Sequence, residues 1–445
     1  MQGLKKVALH APSTVWIPTL IGTPTPPRRR VLSPIEETIV VRQTQQWLDR
    51  DVIEQIKPPL LCNNLVLAAK KDGTQRVCVD CTPANRVTED VDWNTPRLQD
   101  LRHMVKGYRK FTRLDLKDAF NRFRIPPAYR YLTAYRAGGQ YYWFKRMIWG
   151  LKTAPTLFQR YMDILLAPFR EWVFCYMDDI LIMADTLVEL TTREREVIRT
   201  LTSNQNEVNF DKSEFHKESL LFAGLWISAE GVGPNQEKVA ELLAIQPPTT
   251  KDAVRSALGL VSYLRDFIPL TSHFTWMLHP SEKGPFLSPS ELSFHWTRLM
   301  RHLCAAITTN RHFREGVPAD LFTDSSLHAT GALIIQDGRV VALVSRKLTP
   351  AETRYSATDW EHLGLVFAAK KLRLFLHQRK TPVSIYTDHS ALLGRNLAEM
   401  SPRQCRWALI VRQWMPNVKH VPGKNNPADY ISRWGVEIQG GQILA

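Results

Sequence analysis

Residues 173–183 read VFCYMDDILIM, an apolar run interrupted by two adjacent carboxylates, Asp178 and Asp179. VFCY and ILIM each suit a buried strand, so 177–179 reads as the tight turn of a β-hairpin with acids at its tip. Adjacent carboxylates on an apolar scaffold repel each other and are poorly hydrated unless a cation lies between them. A hard divalent ion is the natural partner. A solvated acidic turn is the competing reading of a lone Asp-Asp pair, and the rest of the chain decides between the two.

The chain has 445 residues, room for two to four domains, and its 44% hydrophobic and 23% charged content is that of a globular protein. A formal net charge of +15 favours a polyanionic partner, nucleic acid first and an anionic membrane second. No stretch approaches the ~18–20 apolar residues of a spanning helix, so no membrane partner is expected. The opening residues are broken by Pro12 and Pro18 and lack a cleavage-site pattern, and the expected compartment is the cytoplasm or the nucleus. Of six cysteines only Cys78 and Cys81 form a C-x-x-C, with no second pair at zinc-ribbon spacing, and they read as reduced thiols on a half-buried strand.

Moving outward from the hairpin, FTRLDLKDAF at 111–120 places Asp115 inside a hydrophobic strand and Phe120 five positions later. An unpaired carboxylate buried in a strand is costly, so Asp115 is expected to face a metal. Residues 64–80 alternate as two strands joined by KDGT at 71–74, with Lys70, Lys71 and Arg76 around the tip. Such a tip suits a triphosphate, and it equally suits a solvated basic turn. Ser33-Pro34-Ile35-Glu36 is a capping box that opens a helix over 34–51. Before it lies a Pro-rich, basic stretch ending in PPRRR at 26–30, a composition that packs no core.

Downstream, helical periodicity covers 234–245, 250–264 and 288–307, the last opened by a second box, Ser288-Pro289-Ser290-Glu291. A hairpin follows, 331–336 and 339–345 around Asp337-Gly338, then a helix over 350–377 and a strand over 382–388. With the strand that carries Asp324 this is the β-β-β-α-β order of an RNase H fold. Asp324, Glu361 on the helix, Asp388 ending a strand and Asp429 near the C-terminus come from four elements and imply a two-metal site.

LDLKDAF at 114–120, WGLKTAPTLFQ at 149–159 and YMDD at 176–179 resemble, in order and spacing, the successive polymerase motifs of reverse transcriptases. AKKDGTQRVCVD at 69–80 and FAGLWISAEGV at 222–232 are most similar to the pol region of gypsy-type LTR retrotransposons. TDS at 323–325, YSATDWEHLGLVFAAKK at 355–371, YTDHS at 386–390 and VPGKNNPADYISR at 421–433 resemble the RNase H domain of that family. The resemblance runs from about 33 to 434. It implies an α+β, multidomain chain, a right-hand polymerase of fingers, palm and thumb followed by an RNase H-like α/β domain. The expected divisions are a flexible basic arm at 1–32, fingers and palm at 33–233, thumb and connection at 234–317, RNase H at 318–434 and a C-terminal tail at 435–445.

It also implies roles. Asp115, Asp178 and Asp179 would hold two Mg²⁺ ions, as would Asp324, Glu361, Asp388 and Asp429 in the nuclease, with Mn²⁺ as a substitute. Lys70 and Arg76 match the grip on the incoming triphosphate, completed by the amides of Asp118 and Ala119, and Phe120 matches the steric gate against a ribose 2′-hydroxyl. Lys212 sits where the family carries a lysine proposed to protonate pyrophosphate. Trp149-Gly150 lies where relatives show Phe-Gly or Gln-Gly after a proline, so the path of that loop beside the nucleotide departs from the pattern. In the nuclease, retroviral and cellular relatives carry a histidine where this chain has Lys424, and His420, before the Val-Pro-Gly turn, is not given that role. KKLRLFLHQRK at 370–380 either holds the phosphates of a hybrid or is a solvated face.

The implied activity is RNA-directed DNA synthesis with cleavage of the RNA strand of RNA–DNA hybrids. Its partners would be an RNA template, a DNA primer, the hybrid and dNTPs, with a homodimer left open, in a cytoplasmic retrotransposon particle or the nucleus. No Asp-Thr-Gly or Asp-Ser-Gly protease motif, Cys-rich knuckle or integrase zinc pattern is present, so the chain is expected to be a pol segment, whether processed subunit, fragment or decayed insertion. Two other readings compete: a nucleic-acid-binding remnant without turnover, which the seven retained carboxylates oppose, and an RNA-dependent RNA polymerase, which Phe120 and the nuclease motifs oppose.

Overall fold

The computed structural model describes residues 22–69, 73, 75–93, 96, 98–105, 107–269, 271–279, 287–307, 309–376, 383–389, 400–412, 417–422, 426, 438–439 and 442–443. The chain divides into two compact units, 1–100 with 110–217, and 101–109 with 218–445. The division at 217 falls inside the 33–233 span of fingers and palm, and the spans 234–317 and 318–434 share the second unit.

In the first unit, α1 (Pro34–Asp49) opens on the expected box: the Ser33 hydroxyl accepts from the Glu36 N–H, and the Glu36 carboxylate accepts from the Ser33 N–H at 2.8 Å. It stops short of 51 because Asp51 takes a left-handed conformation (φ 55) that turns the chain into β1 (Ile53–Ile56). The end of the basic arm is not free. The Arg30 N–H donates to Asn64 Oδ1 and Asn64 Nδ2 to the Arg28 carbonyl, both at 2.9 Å, so 28–30 lie along the fold, while 1–21 are outside the described residues.

β2 (Leu65–Ala69) and β3 (Gln75–Val79) form the expected antiparallel hairpin, in register from Leu65 opposite Val79 to Ala69 opposite Gln75. After α2 (Thr82–Val87), and α3 (Leu98–Met104), which the division at 100 splits between the units, come β4 (Lys110–Asp115), β5 (Tyr135–Ala137), β6 (Gln140–Phe144) and α4 (Ala154–Leu165). β7 (Val173–Tyr176), β8 (Asp179–Ala184), α5 (Leu187–Ser203) and β9 (Glu214–Lys217) close the unit. One sheet runs β1-β6-β5 and the other β7-β8-β4-β9. α4 packs against β7, and α5 against β4 and β8. This covering explains why 180–184 is continuously apolar instead of alternating: all five residues are fully buried. Each large side chain among them contributes about 1.5–3 kcal/mol by leaving water.

The second unit begins with the sheet of β10 (Ser219–Phe222), β11 (Leu225–Ser228) and β12 (Gly231–Pro234), to which β13 (Asn310–Arg311) adds an edge. α6 (Gln236–Leu243), α7 (Lys251–Leu264), α8 (Thr271–Thr275) and α9 (Pro289–Ala306) enclose a core around Leu258, Leu264, Phe274 and Trp296. Asn235, Thr250 and Ser288 cap three of these helices, so each starts where a side-chain oxygen meets an orphan N–H.

β14 (Asp320–Ser325), β15 (Ala329–Gln336) and β16 (Arg339–Lys347) then run antiparallel, and the Asp337-Gly338 turn has both residues left-handed, φ 50 and 70. The helix expected over 350–377 is broken. Tyr355 is extended and the Ser356 hydroxyl caps α10 (Ala357–Lys371), after which a short α11 (Arg373–Leu376) follows, with 377 outside the described residues. β17 (Ser384–Thr387) and, beyond α12 (Pro402–Val411), β18 (Val418–His420) add in parallel to the side of β14. The order β18-β17-β14-β15-β16 with α10 packed on β14 and β15 is that of an RNase H-like domain. Two short strands, β19 (Ile438–Gln439) and β20 (Gln442–Ile443), extend the sheet beyond β16, so part of the expected tail carries ladder structure.

Candidate active sites

The palm site is built at one end of the β7-β8-β4-β9 sheet. Antiparallel pairing sets Asp115, the last residue of β4, opposite Asp179, the first of β8. The turn is one residue tighter than expected. Tyr176 pairs with Asp179, leaving Met177 and Asp178 as a two-residue loop, with Met177 left-handed at φ 56. Like charges opposite each other on a sheet destabilise it, and burial adds to the cost. Burial and the neighbouring Asp178 and Asp115 push the Asp179 carboxyl up to about 6 against the opposing pull of Arg113, and burial with Asp115 raises Asp178. A hard divalent cation would relieve this repulsion, and an all-oxygen donor set suits it. Among the described residues no three His, Cys, Asp or Glu side chains form a ready-made ion cage.

What surrounds the carboxylates is positive. Arg76 on β3 and Lys212 both draw the Asp178 carboxyl downward by their charge, so two cations predicted from sequence converge on this acid. Arg113, two residues before Asp115 on the same strand, is held by Glu214 at 2.9 Å and by the Lys212 carbonyl at 3.3 Å. Lys70 lies outside the described residues.

Arg76 also lines a cleft of about 360 Å³, with Trp47, Arg50, Asp118, Phe120 and Trp149, and none of the three acids is in that lining. Phe120 is 2% exposed, with its ring 4.2 Å from Trp149 and 5.0 Å from Phe158, so it is both a wall of the cleft and a core side chain. Trp149 is half exposed over it. Gly150 holds φ 109, and a Cβ there would lie 3.1 Å from the Val79 carbonyl, so this step requires glycine. Asn85 Nδ2 fixes the loop by donating to the Gly150 carbonyl at 2.7 Å. Asp118 is left-handed at φ 46 and precedes the 3-10 turn that Ala119 opens.

Sequence reasoning missed two supports of this site. Gln159, fully buried on α4, accepts from the Met177 N–H at 2.8 Å and donates to the Cys175 carbonyl at 3.0 Å, pinning the entry to the acidic turn. Its place in WGLKTAPTLFQ was the available signal. Arg50 ion-pairs with Asp118 across 68 residues, and nothing in the sequence marks that contact.

In the second unit, Asp324 on β14 and Glu361 on α10 are both buried, at 4% and 8% exposure. A Cβ on Gly364 would lie 2.5 Å from Ser325 Oγ, and that close approach of α10 to β14 sets Glu361 one turn away beside the strand that carries Asp324. Asp388 follows β17, and its carbonyl is 3.2 Å from His420 Nε2, a contact to backbone rather than to a carboxylate. Asp429 and Lys424 lie outside the described residues. A histidine not singled out from sequence, His273 on α8, has Nε2 3.6 Å from Asp324 Oδ2. Six free cysteines are spread through the chain, and burial pushes the Cys81 thiol up to about 12, a structural rather than a reactive group.

Residues 68–227 match the family described as reverse transcriptase (RNA-dependent DNA polymerase), and residues 315–414 the RNase H-like domain found in reverse transcriptase. The Tf2-3 and Tf2-7 transposon polyproteins of Schizosaccharomyces pombe are 31% and 30% identical over 425 residues, 92% of this chain. The chain spans 31% of the length of each. A foamy viral protease–reverse transcriptase in complex with double-stranded DNA superposes with a TM-score of 0.77 at 20% identity, over 92% of this chain and 74% of that one. A foamy viral protease–reverse transcriptase in complex with an RNA/DNA hybrid gives 0.73 at 19% identity, over 93% and 57%. At such identities the likeness is one of fold. Motifs, site geometry and these matches agree: residues 68–227 form a reverse transcriptase domain and residues 315–414 an RNase H-like domain, and over 92% of its length the chain is similar to transposon polyproteins that carry the matching stretch as one part of a longer sequence.

Proposed function

We propose that the chain is an RNA-directed DNA polymerase that also cleaves the RNA strand of RNA–DNA hybrids, acting on a primed RNA template with dNTPs. The observation that carries this reading is the palm end: Asp115 pairs opposite Asp179, Asp178 and Asp179 are held with raised carboxyls, and Arg76 both acts on Asp178 and lines a cleft walled by Phe120. Asp115, Asp178 and Asp179 would hold divalent metal, Mg²⁺ or Mn²⁺, which supplies Lewis-acid activation of the primer hydroxyl and neutralises charge on the departing pyrophosphate. Arg76 binds the triphosphate by charge-assisted hydrogen bonds, and Phe120 with Trp149 orients the sugar against an apolar wall. Lys212, whose charge acts on Asp178, would offer a proton to the leaving group. Asp324 and Glu361, with Asp388, supply the oxygen donors of the nuclease. The reading places the enzyme where its template is, in a cytoplasmic particle or the nucleus.

The test is primer extension on a poly-rA template with the purified chain, beside Asp178→Asn. Extension by the wild type and none by the folded variant is expected. A folded wild type that extends nothing while still binding primer-template would leave the nucleic-acid-binding remnant as the function.

A further inference from the structure

One nuclease carboxylate, Asp324, is covered from within the same unit. Asp324 and His273 side chains are 6% and 5% exposed, and Nε2 of His273 approaches Asp324 Oδ2 to 3.6 Å. A Mg²⁺ ion held by Asp324 would bring waters with it, and an imidazole 3.6 Å from Oδ2 would compete with them for that space. α8, which carries His273, has two unlike faces. Phe274 anchors it to its own helical bundle, stacked 3.8 Å from His302 with the Arg298 guanidinium 5.1 Å over its ring. Toward the RNase H-like sheet it offers Ser272 to Ser345, hydroxyl to hydroxyl at 3.2 Å, and, just beyond α8, the large ring of Trp276 stacked at 3.3 Å on His328. α8 lies along β15 and β16, where Ser345 Oγ also accepts from the Ser272 N–H at 3.3 Å, but Phe274 belongs to the bundle's apolar core and, among the described residues, no α8 side chain belongs to that of the sheet, so the seam can open without unfolding either core.

We propose that α8 is an autoinhibitory strap over the nuclease site, closed in this structure, which lifts when an RNA–DNA hybrid docks. The proposal rests on the nuclease reading above and deepens it: the site cleaves only while hybrid holds the strap away, so free protein is guarded against idle metal loading and hydrolysis.

The experiment locks the seam. Ser272→Cys with Ser345→Cys replaces two hydroxyls 3.2 Å apart, a spacing a disulfide can close. In the full chain, oxidation is expected to lower hybrid cleavage by roughly ten-fold or more, about 1.4 kcal/mol at least, with recovery on reduction and with primer extension on a DNA template unchanged. Wild type taken through the same redox cycle controls for the native thiols. Reduced protein that cleaves no hybrid refutes the nuclease reading, whereas equal cleavage by the oxidised and reduced forms overturns the strap alone. Two further measurements bear on the strap. Hydrogen exchange of the 271–278 amides is expected to rise on adding a hybrid in Ca²⁺, and unchanged protection with hybrid bound overturns the proposal whether or not cleavage occurs. His273→Ala is expected to lower the Mg²⁺ concentration for half-maximal cleavage, and a higher requirement makes His273 a positioning residue for Asp324 instead.

Discussion

Replacing Gln159 by leucine removes a side chain that touches no substrate, and it is expected to slow DNA synthesis by roughly 10- to 100-fold. The amide makes three hydrogen bonds: Nε2 to Asp163 Oδ1 at 2.7 Å, Nε2 to the Cys175 carbonyl at 3.0 Å, and Oε1 from the Met177 N–H at 2.8 Å. Leucine keeps most of the volume but leaves a part-buried N–H and a buried C=O without their partner, about 1–3 kcal/mol for each orphaned group. The chain relieves that penalty most readily at its weakest point, the left-handed Met177, which costs ~1–3 kcal/mol to hold and adjoins Asp178. If roughly half of the ~2–6 kcal/mol appears as misplacement of Asp178 and Asp179, kcat falls by one to two decades, while KM for dNTP, set by the cleft, stays within about three-fold. The assay is single-nucleotide extension on a primed RNA template, with hybrid cleavage by the same preparation as an internal control. Extension by Gln159→Leu within about three-fold of wild type, or a parallel fall in cleavage, refutes the pinning role.

Asp178→Asn is expected to abolish extension and spare hybrid cleavage, and Glu361→Gln to do the reverse. Loss of both activities in either folded variant contradicts two independent carboxylate sets. Phe120→Val is expected to raise ribonucleotide incorporation relative to deoxynucleotide by at least ~10-fold and, because the ring is also core, to cost about 2–3 kcal/mol in stability. An unchanged nucleotide ratio with the same loss of stability reduces Phe120 to packing. Glu352 lies at about 2 instead of 4.5, chiefly because Arg346 grips it with two hydrogen bonds at 2.7 Å, helped by the Thr349 N–H. A depressed carboxyl stabilises the fold above its unfolded value and loses that contribution as pH falls toward 2, so Glu352→Gln is expected to cost roughly 1–2 kcal/mol at pH 7. The gap in thermal midpoint between variant and wild type narrows on acidification, and a gap independent of pH contradicts the ion pair.

What sequence showed best is what is local. The boxes at Ser33 and Ser288, the Asp337-Gly338 turn and the acidic hairpin each follow from neighbours within a few residues, where hydrogen-bond geometry and backbone preference act directly. Carboxylates inside apolar strands stood out because their burial demands an explanation. Less legible was whatever depends on residues far apart in the chain. Arg50 reaching Asp118, Gln159 reaching Met177 and His273 reaching Asp324 join elements whose meeting is set by packing, and no periodicity encodes it. The helix over 350–377 was misread for a related reason: its apolar spacing persists across 355, where the Ser356 cap and the Glu352–Arg346 pair break the backbone. The cover over Asp324 was invisible because His273 lies in a helical stretch that reads as ordinary packing.

The ladder that sets Asp115 opposite Asp179 continues without a bulge through Leu114–Ile180, Arg113–Leu181 and Thr112–Ile182 to Lys110–Ala184. Because strand side chains alternate, gaining or losing one codon inside either strand carries its acid to the opposite face and its neighbours out of the core together. Substitutions in this stretch are therefore graded in effect, while single-residue insertions and deletions are all-or-none. Copies of such an element that drift by replication slippage are expected to fall silent by length changes in 110–115 or 179–184.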